Sequence, residues 1–469
     1  MGYREKLQQT IDLIGEDYYI DPEEKKVGRQ TILHWNTSLL VLSYVMNKNP
    51  LIIGEPGFAK TTSAKTISAL MSGYPFDLYE SAQIQGHPDQ TFETMLARLD
   101  FSKLDKEEAV IWLSSAYLPV RIIDEIRRLP AGNQNELLNM LQTGRINYLN
   151  STFYTGETPF FATANHQDEG SYILIPPLCD RFSIHVELGH IGAMYTGEIA
   201  RAKKNIKELC DPKITNRILS IINDKEKSIE EKLETIEKER DSYRKFLEYE
   251  LGVSLFDAED RKNITEEISS IKVTNEAMIF LQMIDAELNY TPTFGRKRSS
   301  DKRDTNNHGA NLASNNTKNA ASPRAILEGI DDYAKAIVYL RGEKAVRKEH
   351  VFAVAPHALG HRLDFENEFK SKYANEKRPG HFGAPTEMFL AEKLVEGIEE
   401  NYKKVKIDLD LLMSAYLISN AKEKNKIPEL SLSIQQWARA NDLLNNEDLV
   451  DHPLAKEYIR AIKRTRSRF

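Results

Sequence analysis

The run Leu51-Ile-Ile-Gly-Glu-Pro-Gly-Phe-Ala-Lys-Thr-Thr62 constrains this chain more than any other stretch. A short apolar run rich in β-branched residues suits a buried parallel strand. It is followed by a glycine-containing turn and then by a helix-forming stretch, so strand, loop and helix start share twelve positions. Gly54 and Gly57 let the backbone through Glu55, Pro56, Phe58 and Ala59 curl so that successive N–H groups face one point. The helix that follows adds the positive end of its dipole. In such a loop Lys60 would reach the β- and γ-phosphates of a nucleotide. Thr61, with Thr62 beside it, would bring a hydroxyl to Mg²⁺. The spacing is that of G-x-x-x-x-G-K-[ST], except that Ala59 occupies the place of the last glycine. A plain strand–turn–helix carrying a lysine would share much of this pattern.

A second motif lies about 65 residues downstream. Val120-Arg-Ile-Ile-Asp-Glu125 reads as a short apolar strand ending in two adjacent carboxylates. Asp124 is placed to hold the hydration shell of Mg²⁺, and Glu125 to polarise an attacking water. Acidic pairs at strand ends are common. Paired with a lysine loop at this α/β spacing, they point to nucleotide hydrolysis. Pro159-Phe-Phe-Ala-Thr163 supplies a third short apolar run.

Composition removes several other classes. The chain has 469 residues, 41% of them hydrophobic, with 63 Lys+Arg against 70 Asp+Glu and a net charge of −7. At about 150 residues per domain this suggests roughly three domains. The balance gives no general electrostatic attraction to nucleic acid. Two cysteines, Cys179 and Cys210, cannot build a disulfide framework, so a reducing, cytoplasmic setting is expected. The most apolar stretch, 37–46, is too short to span a membrane, and no membrane insertion is expected.

Ordered blocks along residues 24–365 resemble the MoxR family of AAA+ ATPases. Val27-Gly28-Arg29-Gln30 is similar to the family's opening segment near the adenine. The form Gly54 to Thr61, with alanine in place of the last glycine, resembles the family's own phosphate loop. Asp124-Glu-Ile-Arg-Arg-Leu-Pro130 resembles its D-E-I-N-R-x-P stretch. Phe161-Ala-Thr-Ala-Asn165, Glu169 to Tyr172 and Leu178 to Phe182 resemble its A-T-x-N, E-G-T-Y and L-D-R-F block. Ala321-Ser-Pro-Arg324-Ala325 resembles its second sensor.

The resemblance implies an α/β AAA+ core over residues 1–190, with a parallel sheet and inserted β-hairpins. A helical lid over 191–380 would follow. The resemblance fades past about His381, where the residues themselves read as a helical C-terminal extension over 381–469. It implies Asn165 as first sensor, Arg181 as an arginine finger reaching a neighbouring subunit's nucleotide, and Arg324 as the lid's sensor. It gives Arg128 an intersubunit role. It also implies ATP and Mg²⁺ as ligands and a homo-hexameric ring. The work would be chaperone-like remodelling or maturation of a client protein, with a partner bearing a von Willebrand factor A-type domain. One hairpin is expected over 94–113 and another over 145–154. Neither carries the aligned cations that would grip phosphates, which favours a protein substrate over nucleic acid. A nucleic-acid-dependent motor and a nucleotide-gated scaffold remain the alternatives.

Three further expectations rest on the residues alone. The highly charged stretch 224–250 carries Ile229, Leu233, Ile236, Tyr243 and Leu247 in steps of three and four, with Arg240 filling one slot, predicting a long helix with a narrow apolar stripe. The asparagine-rich stretch 291–321 is expected to be a disordered loop within the lid. Helices at 388–420 and 434–444 would pack on the lid or form a docking platform, before a frayed basic tail at 460–468.

Overall fold

The computed structural model describes residues 2–99, 110–149, 151–166, 172–291, 295–296, 312–376, 385–420, 432–450 and 452–466. The chain divides into two compact units, one of residues 1–270 with 377–382, the other of 271–376 with 383–469.

The first unit is built on a five-stranded parallel sheet: β1 (Pro50–Gly54), β2 (Ile84–Gln85), β3 (Arg121–Asp124), β4 (Phe160–Ala164) and β5 (Ile184–Leu188), in the order β5-β1-β4-β3-β2. Every residue of β1 and β4 is buried, as both faces of a covered parallel sheet require. Pairing sets Ala164 beside Ile53 and Ala162 beside Ile123. This register delivers the C-terminal ends of β1, β3 and β4 to one edge, where open α/β sheets form their ligand crevices. Gly54 is required where β1 meets β5, because a Cβ there would lie 2.4 Å from the Leu188 carbonyl oxygen.

Helix α1 (Lys60–Ser72) leaves the phosphate-loop stretch, and α2 (Ala131–Thr143) follows the acidic pair. Both expected hairpins are present. Ala97–Leu99 pairs antiparallel with Val110–Trp112, its turn lying outside the described residues, and Arg145–Tyr148 pairs with Ser151–Tyr154.

The charged stretch forms α3 (Ile229–Leu251) and buries Ile236, Tyr243 and Leu247 of the expected stripe. Its start is fixed by a capping box in which Glu231 N–H donates to Ser228 Oγ (3.2 Å) and Ser228 N–H to Glu231 Oε2 (2.9 Å). The Tyr243 hydroxyl donates to the Leu209 carbonyl (2.6 Å). The sequence reading placed 191–270 with the lid; these helices belong to the first unit instead. The following helix, Ala258–Ser269, shows why, since Arg261 donates to the Tyr44 carbonyl (3.0 Å) and lies over the Tyr44 ring at 4.3 Å.

Among its described residues, the regular structure of the second unit is helical apart from two-residue strands and the single bridge of Thr317 with Phe365. Lys272–Val273 pairs with Ala345–Val346 and Tyr290–Thr291 with Gly295–Arg296, pairings too short to leave a periodic signal. One core runs through α4 (Asn275–Asn289), the Lys348–Leu359 helix, α5 (Glu387–Asn420) and α6 (Pro453–Arg466). The C-terminal extension therefore packs into the lid's core.

Two sequence expectations are corrected here. Residues 312–321 of the asparagine-rich stretch are ordered, with Leu312, Ala313, Ser314, Thr317, Ala320 and Ala321 buried. Few of these side chains are large. The stretch is instead held by polar anchors: Glu287 Oε2 accepts from Ala313 N–H (2.6 Å), and Ser314 Oγ donates to the Tyr290 carbonyl (2.9 Å). The part at 297–311 lies outside the described residues. The basic tail is helical to Arg466, because Ile459 and Ile462 at helical spacing bury completely beneath its cations. Among the described residues no helix is long and apolar enough to cross a membrane.

Candidate functional site

The loop between β1 and α1 turns through two left-handed residues. Gly57 has φ +87°, with open space where a Cβ would stand. Ala59 has φ +57° and ψ 22° and immediately precedes α1. The position where the motif asks for glycine is thus one that glycine adopts freely and alanine occupies at a cost of about 1 kcal/mol.

Lys60 opens α1 with its side chain folded back into the loop. Its ammonium donates to the carbonyls of Gly54 and Glu55 (2.9 Å each) and to Asn165 Oδ1 (2.8 Å). Burial lowers its pKa, opposed by the negative charges of Asp124, Glu125 and Glu55. Asn165, one residue past β4, donates from Nδ2 to Glu125 Oε1 at a long 3.4 Å. A single amide thereby links the loop lysine to the second carboxylate.

Beside this chain lies a second one. Thr61 Oγ1 donates to Asp124 Oδ1 (2.5 Å), and so does Thr163 Oγ1 (2.6 Å), which also accepts from Glu125 N–H (3.0 Å). Thr163 is fully buried. The sequence offered it only as a letter in the A-T-x-N block. Its partners become visible once β4 and β3 are in register.

Glu125 is itself left-handed, with φ +51° and ψ 49°. That conformation bends the chain from β3 into the short 3₁₀ turn Ile126–Arg128, which carries two arginines back over the site. Arg127 Nη1 donates to the Asn165 carbonyl (3.1 Å), and Arg128 Nε pairs with Glu125 Oε2 (2.9 Å).

The structure therefore brings together Gly54, Glu55, Lys60, Thr61, Asp124, Glu125 and Asn165, and adds Thr163, Arg127 and Arg128. Pro56, Gly57, Phe58 and Ala59 form the loop's outer curve, Phe58 meeting the His190 ring edge-on at 6.1 Å, and Thr62 follows inside α1. Val27 and Gly28 sit in the hairpin of Lys25–Val27 with Gln30–Ile32, Val27 buried and Gly28 exposed at the turn with φ +60°. Arg181 stands between the short Pro176–Cys179 helix and β5, its carbonyl accepting from Asn49 Nδ2 (3.2 Å). Arg324 belongs to the second unit. It precedes the π-helical segment Ala325–Asp331 and pairs through Nε with Glu328 Oε1 (3.0 Å).

The donor set suits a nucleotide and a hard cation. A lysine buried against two carbonyls and an amide could exchange them for phosphate oxygens. Thr61 and Asp124 offer the oxygen ligands Mg²⁺ prefers.

Comparison with known proteins agrees with this arrangement. Residues 49–182 match the model of the AAA domain (dynein-related subfamily), and residues 310–379 match that of the AAA lid domain. No curated protein matches the chain. The crystal structure of a candidate ATPase from Cytophaga hutchinsonii aligns with a TM-score of 0.53 over 85% of this chain and 94% of that one. At 17% identity the likeness speaks to the fold. The phosphate-loop lysine and the acidic pair both fall inside the matched AAA segment, a matched lid follows it, and the chain carries an AAA ATP-hydrolase domain with an AAA lid.

Proposed function

We propose that this chain is a MoxR-type AAA+ ATPase that hydrolyses ATP with Mg²⁺ at the subunit interfaces of a homo-hexameric ring in the cytoplasm, and uses the cycle to remodel or mature a client protein. The observation that carries the reading is the Lys60–Asn165–Glu125 chain lying beside the Thr61–Asp124–Thr163 one.

In this reading Lys60 neutralises the β- and γ-phosphates, its ammonium already aimed by three acceptors. Thr61 and Asp124 would hold Mg²⁺, which would supply charge screening on the phosphates. Glu125 accepts a proton from the attacking water, and Asn165 fixes that water between the carboxylate and the γ-phosphate. Val27 and Gly28 border the adenine. Arg324 exchanges Glu328 for the γ-phosphate and so couples the lid to nucleotide state.

A protein client is supported by the second hairpin. Leu149 at its turn is 66% exposed and Tyr154 65%, while the Arg145 guanidinium lies over the Tyr154 ring at 4.9 Å. The turn thus presents apolar surface with little free cationic charge. A partner with a von Willebrand factor A-type domain remains part of the proposal through the family resemblance.

Mixing two inactive variants tests the interfacial mechanism. Arg181→Ala chains bind ATP through an intact loop and lose turnover by about 10³-fold. Lys60→Ala chains cannot bind it. Mixed in one ring, some interfaces pair an intact Arg181 with an intact Lys60, and turnover partly returns. No recovery at any mixing ratio would contradict action across an interface. Stimulation of the wild type by DNA or RNA would favour the nucleic-acid alternative.

A further inference from the structure

The acidic pair is followed at once by a device that the proposed mechanism leaves unused. Glu125 is left-handed, and the turn it starts is closed by Arg128 N–H donating to the Glu125 carbonyl (2.8 Å). The tight turn brings the Arg128 side chain back to the Glu125 carboxylate. There Arg128 Nε meets Glu125 Oε2 at 2.9 Å while Asn165 approaches Oε1 at 3.4 Å. Each carboxylate oxygen thereby has a separate partner.

The turn is anchored on several sides. Arg127 Nη1 donates to the Asn165 carbonyl (3.1 Å), and the Arg127 carbonyl accepts from Tyr172 N–H (2.6 Å). Leu129 N–H closes on the Ile126 carbonyl (3.1 Å). Gly86 lies so close beneath that a Cβ would stand 2.1 Å from the Glu125 carbonyl oxygen. The backbone holding Arg128 cannot drift independently of the carboxylate it pairs with.

The geometry points to Arg128 as a positioning residue for Glu125 within its own subunit, holding the carboxylate in one rotamer so that its other oxygen faces the water held by Asn165. This rests on Glu125 being the base. It moves Arg128 from the intersubunit role that the family resemblance suggests to an in-chain one. A free glutamate spreads over three rotatable bonds, and confining it beforehand removes that entropy from the barrier. Arg128 is partly exposed, so an idle surface ion pair is the alternative to be beaten.

The test uses the full-length protein at ring-forming concentration, with Arg128→Ala, Arg128→Lys, Glu125→Gln and the Arg128→Ala/Glu125→Gln double variant. Steady-state turnover, binding of a fluorescent ATP analogue, melting temperature and assembly state are recorded for each. A misplaced base costs on the order of 10- to 100-fold, so Arg128→Ala is expected to lower kcat by that factor. KM for ATP, analogue affinity, melting temperature and assembly stay as in the wild type. Arg128→Lys recovers part of the loss by restoring the charge without the planar Nε donor. In the Glu125→Gln background Arg128→Ala lowers the residual rate no further, because the arginine acts through the carboxylate.

Unchanged kcat in Arg128→Ala, with Glu125→Gln inactive, would overturn the assignment and leave an idle ion pair. Loss of turnover together with loss of the ring would overturn it in favour of an intersubunit contact. Undiminished turnover in Glu125→Gln would instead sink the underlying reading of the base.

Discussion

Thr163 shows how much of this site rests on one hydroxyl. Its Oγ1 donates to Asp124 and accepts from the Glu125 backbone, tying the two carboxylate residues to the strand that carries Asn165. Thr163→Val keeps the β-branched shape and removes both bonds. Leaving the Glu125 N–H without its acceptor costs about 1–3 kcal/mol, enough to release the left-handed turn. Turnover is expected to fall by about tenfold or more, with ATP affinity within a few-fold of the wild type. Wild-type kcat in this variant would show that the bridge is idle. Lys60, Thr61, Asp124 and Glu125 were legible in the sequence because their spacing follows local chain geometry. The contacts of Thr163 and Arg128 were not. The first depends on β4–β3 register, the second on the left-handed bend at Glu125, and neither leaves a periodic trace.

Among elements, the same division separates what patterning shows from what it hides. The strands at 50–54, 121–124 and 160–164 stand out as short apolar runs, and α3 as a stripe of apolar residues. Composition misreads 312–321, because its order comes from a partner 26 residues upstream. Glu287 is completely buried and accepts from Ala313 N–H (2.6 Å) and Asn401 Nδ2 (3.0 Å), with His452 Nε2 at 3.3 Å from the same Oε1. One carboxylate thus joins α4, the end of the asparagine-rich stretch, α5 and the residue before α6. Glu287→Ala leaves those donors buried without an acceptor, a loss of about 3 kcal/mol or more. Thermal unfolding should show a clear drop in melting temperature, and limited proteolysis should show earlier cutting near 312–321. A melting temperature within a degree of the wild type would contradict this role for Glu287. The basic C-terminus was misread for a related reason: its cations masked Ile459 and Ile462, which face the core.

Across the whole molecule, the AAA and AAA-lid segments account for a nucleotide site at the edge of a 5-1-4-3-2 sheet and a helical second unit. Fold class was legible because the motifs are local and ordered along the chain. The unit boundary was not, because the helices at 196–269 are assigned only by what they pack against. Everything proposed for the molecule, from ring to client, depends on Glu125 acting as the base that spends bound ATP. The most direct test measures nucleotide binding and turnover side by side in the wild type and in Glu125→Gln. The variant is expected to bind a fluorescent ATP analogue as tightly as the wild type while its turnover falls by about 10²-fold or more. Turnover within a few-fold of the wild type, with binding intact, would contradict it.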